Sequence, residues 1–118
     1  MQYLVQMNIT PQGRPASLEE GHAFFRSYIH PTLKRCQKLK EDGTIVAGGP
    51  ISGTIGLALV IETDTVKELD ELLTSLPIWT RMETTVTPLT TFGDRASAIE
   101  DRIKRLQEEH PPTTEARL

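Results

Sequence analysis

The chain has 118 residues, 37% hydrophobic and 25% charged, with a net charge of −3. That length fits one domain with a modest, mostly aliphatic core, and the acidic balance lacks the basic footprint that binding nucleic acid requires. A single cysteine, Cys36, allows no internal disulfide and no multi-cysteine zinc site, and no apolar run reaches the ~18 residues of a membrane span.

The opening MQYLVQMNIT carries neither the basic start nor the apolar run of a signal peptide, so a cytoplasmic protein without membrane association is expected. Gln2 to Ile9 alternates, with Tyr3, Val5, Met7 and Ile9 on one side, the period of a strand. Thr10 to Ala16 holds two prolines and a glycine and reads as a loop. Ser17, three residues before Glu20, has capping-box spacing and predicts a helix start. Leu18, His22, Phe25, Ile29, Leu33 and Cys36 then recur at helical spacing, and Gly43 is the expected C-cap. Pro31 removes a backbone donor inside this helix, which predicts a kink or a break near His30.

Thr44 to Ala47 reads as a short strand, with Gly48-Gly49-Pro50 and Ser52-Gly53 as the turn after it. Thr54 to Thr63 is almost wholly apolar, as in a strand buried on both faces. One face is large (Ile55, Leu57, Leu59, Ile61). The other is small (Thr54, Gly56, Ala58), and either floors a pocket or receives a closely packed helix. Asp64 or Thr65 caps a second helix over about Val66 to Leu76, with Leu69, Leu72, Leu73 and Leu76 inward, and Pro77 stops it. Met82 to Phe92 reads as a fourth strand, and Ala96 to Glu109 as a third helix with Ile99, Ile103 and Leu106 on one stripe.

The order β-α-β-β-α-β plus a terminal helix predicts an α+β, ferredoxin-like fold. Residues 1–92 form the domain, 93–110 the C-terminal helix expected to serve dimer or higher assembly, and 111–118 a flexible tail. Two helices cover only one sheet face, yet the second face carries Leu4 and part of an apolar strand. A second copy of the sheet would cover it, so a homodimer is expected, with or without assembly into higher oligomers.

The segment LDELLTSLPIWTRMETTVTPLTTF resembles the C-terminal half of the muconolactone isomerase family, in which a leucine-rich helix ends in L-P-L/I-aromatic and a strand ending V-T-P-L follows. The pattern of Met1, Val5 and Met7 and the EDGTI that closes the first helix are similar too, whereas AGGPISGTIGLALVIET looks more like the related YCII-type hairpin. The resemblance implies a dimeric α/β barrel and a cofactor-free proton shift that moves a double bond in a small lactone. It also implies a carboxylate on the first helix with polar and basic partners on the second and third strands. Counting back from Asp42-Gly43-Thr44 sets that carboxylate near Pro31 or Thr32, neither of which is acidic, and IVAGGPIS stands where the polar strand would be.

The remaining candidates are read from the residues themselves. His22, on the predicted apolar stripe, suits acid–base work near neutral pH, and Tyr28 could donate to a substrate oxygen; both also fit plain packing. Thr32, His30, Glu62 and Trp79 are the further binding candidates: Thr32 beside them on the helix, His30 if Pro31 redirects it, Glu62 at the end of the small-residue face, and Trp79 as core plug or pocket wall. The three histidines lack metal-ligand spacing, so no metal is expected. Three classes of function fit: a cofactor-free isomerase or cyclase acting on a small lactone or carbonyl compound, a non-catalytic small-ligand-binding domain, and an accessory dimer with a filled interior.

Overall fold

The computed structural model describes residues 1–110. Four strands, β1 (Gln2–Ile9), β2 (Ile45–Pro50), β3 (Gly56–Glu62) and β4 (Met82–Leu89), form one antiparallel sheet in the order β2-β3-β1-β4. Helices α1 (Leu18–Phe24) and α2 (His30–Glu41) lie between β1 and β2, α3 (Val66–Thr74) lies between β3 and β4, and α4 (Phe92–Glu109) follows. This is the ferredoxin-like arrangement.

The period-2 pattern of β1 sets the layering. Tyr3, Val5 and Met7 are opposite Ile61, Leu59 and Leu57 on β3, and all six are buried. Phe24, Leu39, Leu69, Leu73, Leu76 and Ile78 close over them as one core. The other face carries Gln2, Leu4, Gln6 and Asn8 of β1 beside Ala58, Val60 and Glu62 of β3 and Thr85, Thr87 and Leu89 of β4. No described helix covers it, and Leu4 and Val60 stay partly exposed.

Both predicted caps form. The Ser17 hydroxyl accepts from the Glu20 amide at 3.2 Å, and Glu20 accepts from the Ala16 amide at 2.8 Å. Thr65 and Glu68 repeat the device at α3, where Leu69 and Leu73 face inward.

The first helix departs from its predicted phase. Leu18 is 96% exposed, and His22 and Phe25 are exposed as well, while Phe24, Tyr28, Thr32, Cys36 and Leu39 face the core. Two apolar ladders at four-residue spacing interleave here, and a π-helical turn over Phe25–Ile29 resets the register between α1 and α2. It accounts for Pro31 too. The His30 amide bonds the Phe25 carbonyl five residues back, so the chain widens one turn before the proline instead of breaking.

The glycine pair also differs from expectation. Gly48 and Gly49 lie inside β2, and the turn falls at residues 51–55. The ladder with β3 slips between Ile45 and Ala47, a β-bulge, and Gly48 absorbs the distortion at φ +104°. At the far end, β4 stops at Leu89 and α4 begins at Phe92, four residues before the predicted start, because the Thr91 hydroxyl caps it by accepting from the Asp94 amide at 3.0 Å. The expected tail, 111–118, lies outside the described residues. No described helix is long and apolar enough to cross a membrane.

Candidate functional site

A cavity of about 210 Å³ opens between the first helical layer and one end of the sheet. Phe25, Ile29 and Leu33 form one wall, one i, i+4 ladder on the helix. The β2–β3 hairpin supplies Pro50, Thr54, Ile55, Gly56 and Leu57, and the segment after α3 closes it with Ile78 and Met82. The apolar ladder read from the sequence as core is thus a cavity wall, while the core ladder runs one residue out of phase beside it.

Thr32 joins the two ladders. It is 2% exposed and lines the cavity, and its hydroxyl accepts from the Ile78 amide at 3.1 Å. That bond ties the helix to the segment where LPIWTR turns into β4. Removing the hydroxyl would leave a buried donor unpaired, at a cost of about 1–3 kcal/mol. The hydroxyl still carries its own proton, and Thr54 is the other polar side chain of the lining. A small residue matters at this end of the sheet: a Cβ on Gly56 would lie 2.8 Å from the Met7 carbonyl oxygen, so β3 and β1 approach closely there. Thr54 and Gly56 line the cavity at the hairpin end of β3, but the small-residue face does not floor it: Gly56 lies opposite Asn8 and Ala58 opposite Gln6, on the uncovered side of the sheet.

The other candidates are dispersed. His22 and His30 are exposed on the first helical layer, so neither occupies the buried stripe expected for His22. Tyr28 packs against the core but not against the cavity. The Arg81 guanidinium lies 4.5 Å from its ring centroid and 5.3 Å from that of Phe24, and donates to the Gly13 carbonyl at 3.0 Å. This stack pins the loop before α1 to the start of β4. Glu62 accepts from the Met1 amine at 2.9 Å at the opposite end of β3. Trp79 is 38% exposed in a one-turn 3-10 helix (Trp79–Arg81), and its neighbour Ile78 fills the core. Of the six catalytic and binding candidates, His22, Tyr28, Thr32, His30, Glu62 and Trp79, Thr32 alone lines the cavity.

Sequence reasoning missed Phe25, Ile29 and Leu33 as cavity residues because an apolar ladder looks the same whether it faces a core or a hole. The signal available was the turn PISGT, which cannot fill the space opposite them. No lining side chain titrates as an acid or base in the ordinary pH range. Burial pushes the Cys36 thiol up, against the lowering effect of Arg35, which keeps it a poor nucleophile. Among the described residues, no group of three His, Cys, Asp or Glu side chains could hold a metal ion.

No curated protein matches the chain. A solved structure of muconolactone isomerase is similar, with a TM-score of 0.64 at 22% identity over 77% of this chain and 90% of that one. That likeness supports the fold. The family model described as muconolactone delta-isomerase matches residues 1–95, which include every residue that lines the cavity. On that match, the chain belongs to the muconolactone delta-isomerase family.

Proposed function

We propose that the cavity holds a small, mostly apolar lactone or carbonyl compound, and that the chain acts on it by cofactor-free proton transfer of the isomerase or cyclase type. In such a shift a proton passes from one carbon to solvent water at the half-open mouth, since no lining side chain is a base. The pair left behind forms the new double bond, the old double bond's pair moves to the far carbon, and water returns a proton there. Nothing is oxidised or reduced, so no redox cofactor is called for. The observation that carries this reading is the cavity itself: apolar, with two threonine hydroxyls to orient an oxygen, and smaller than the roughly 300–1,000 Å³ that suits drug-sized ligands. Its location at Thr32, near the position to which the family resemblance assigns the helix carboxylate, supports this placement of the ligand, although Thr32 itself is not acidic. Homodimerisation across the uncovered sheet face belongs to this reading and is supported by the partly exposed Leu4 and Val60.

A second reading, binding without turnover, is favoured by one observation: every lining side chain is non-titrating. One experiment separates the two. A panel of small lactones and enolisable carbonyl compounds is titrated into the protein in D2O, following ligand chemical shifts and the loss of their exchangeable C–H signals. Binding with catalysed exchange supports the enzyme; binding without exchange supports the ligand-binding domain. Leu33→Trp, at the half-open wall, is expected to abolish binding while changing stability by no more than about 1 kcal/mol. Should no compound bind, or should Leu33→Trp bind as well as the parent, the cavity is not the site.

A further inference from the structure

We infer that α4 is a pairing helix that joins this chain to a second copy of itself, parallel and in register. The helix has 18 residues, and none of its apolar side chains joins the core or packs against it. Ile99, Ile103 and Leu106 stand about half exposed and Phe92 almost fully so. A helix of this length gains most of its stability from packing an amphipathic face, and this face has no partner among the described residues. Only its first turn falls within the family match, so α4 is an addition of this chain to the family domain.

The spacing specifies the occupant. Phe92, Ala96, Ile99, Ile103 and Leu106 follow steps of four, three, four and three, a seam of alternating a and d positions. Ile103 at a and Leu106 at d is the combination that favours two strands, while the preceding pair, Ala96 at a and Ile99 at d, does not add to that preference. The flanking charges then choose the orientation. With Ala96 at a, Arg95 and Arg102 fall at g, and Glu100 and Gln107 at e. In a parallel pair Arg95 meets Glu100 of the other copy and Arg102 meets Gln107, each twice, with no like charges opposed. An antiparallel pair centred on the same seam would oppose Arg102 to Arg102 and Glu100 to Glu100. A lipid surface fits poorly, because the polar face mixes Glu100, Asp101, Glu108 and Glu109 with Arg102, Lys104 and Arg105 and is not basic.

Cross-linking of the full chain tests this. Leu106→Cys adds a thiol at the seam, and Asp101→Cys adds one on the outward face as a control; the native Cys36 is common to both. Under mild oxidation the Leu106→Cys chain is expected to run mainly as a covalent dimer on a non-reducing gel, and the Asp101→Cys chain not to. A charge exchange supplies the second readout. Arg95→Glu is expected to reduce the Leu106→Cys cross-link, and Arg95→Glu with Glu100→Arg to restore it. Equal cross-linking of the two cysteine variants, no cross-linking of either, or a charge exchange without effect would overturn the proposal. A dimer by mass that lacks the Leu106→Cys cross-link would likewise overturn pairing through α4 while leaving pairing through the sheet intact.

Discussion

Gly48→Ala is expected to destabilise the protein by about 2–5 kcal/mol, the sum of a forced left-handed backbone and overpacking. Gly48 sits at φ +104°, where a side chain is strained whatever the space around it. Here there is no space: an added Cβ would overlap the Ala58 carbonyl oxygen and lie 2.9 Å from the Leu59 Cα, both in the backbone of β3. Backbone in a central strand cannot yield as a side-chain tip can. Three other glycines calibrate the effect. Gly43 and Gly53 also have positive φ, +85° and +80°, but nothing lies within 4 Å of an added Cβ, so alanine there meets only the backbone term of about 1–2 kcal/mol. Gly49 has neither problem, and its replacement is expected to be nearly neutral. Urea denaturation of the four variants should rank them Gly48 far above Gly43 and Gly53, with Gly49 last. If Gly48→Ala and Gly49→Ala were equally mild, β2 would not carry the bulge that aims Pro50 at the cavity.

That glycine pair illustrates what was legible in the sequence. Gly-Gly-Pro signals a turn and signals a bulge with the same residues, and only pairing with β3 decides between them. Features fixed by local chemistry were plain: the alternation of β1, the caps at Ser17 and Thr65, the Gly43 C-cap, and the inward leucines of α3. The start of α4 was missed because Thr91 caps a helix whose first three residues, Phe92, Gly93 and Asp94, are weak helix formers. The dispersal of His22, His30 and Glu62 was not legible at all. Their placement depends on helix phase and on which face of the sheet is covered, and neither is a property of the residues themselves. Thr32 was reached from its place beside His22 and Tyr28 on the helix and by counting from the Asp42-Gly43-Thr44 turn, but its bond to Ile78 is a contact across 46 positions of sequence that no local pattern encodes.

Helix phase makes a second sharp contrast between neighbours, Phe24 and Phe25. Phe24→Ala is expected to cost about 3–5 kcal/mol, as for a fully buried phenylalanine, whereas Phe25→Ala should cost about 1 kcal/mol or less. Phe24 is 1% exposed and holds one side of the Arg81 stack, with Tyr28 at 5.7 Å between ring centroids. Removing it empties a core site and withdraws part of the support that keeps Arg81 on the Gly13 carbonyl. Phe25 is 58% exposed and borders the cavity, so its loss widens the opening and leaves the core intact. A regular helix with Leu18, Phe25 and Leu33 inward predicts the reverse order, so thermal unfolding of the two variants tests the π-helical turn directly. Binding supplies the complementary readout. Phe25→Ala should weaken ligand binding at little cost in stability, and Phe24→Ala should lower stability first. Reversal of both trends would mean that the wall of the cavity and the wall of the core had been exchanged, and the site would then have to be sought along Phe24, Tyr28 and Arg81.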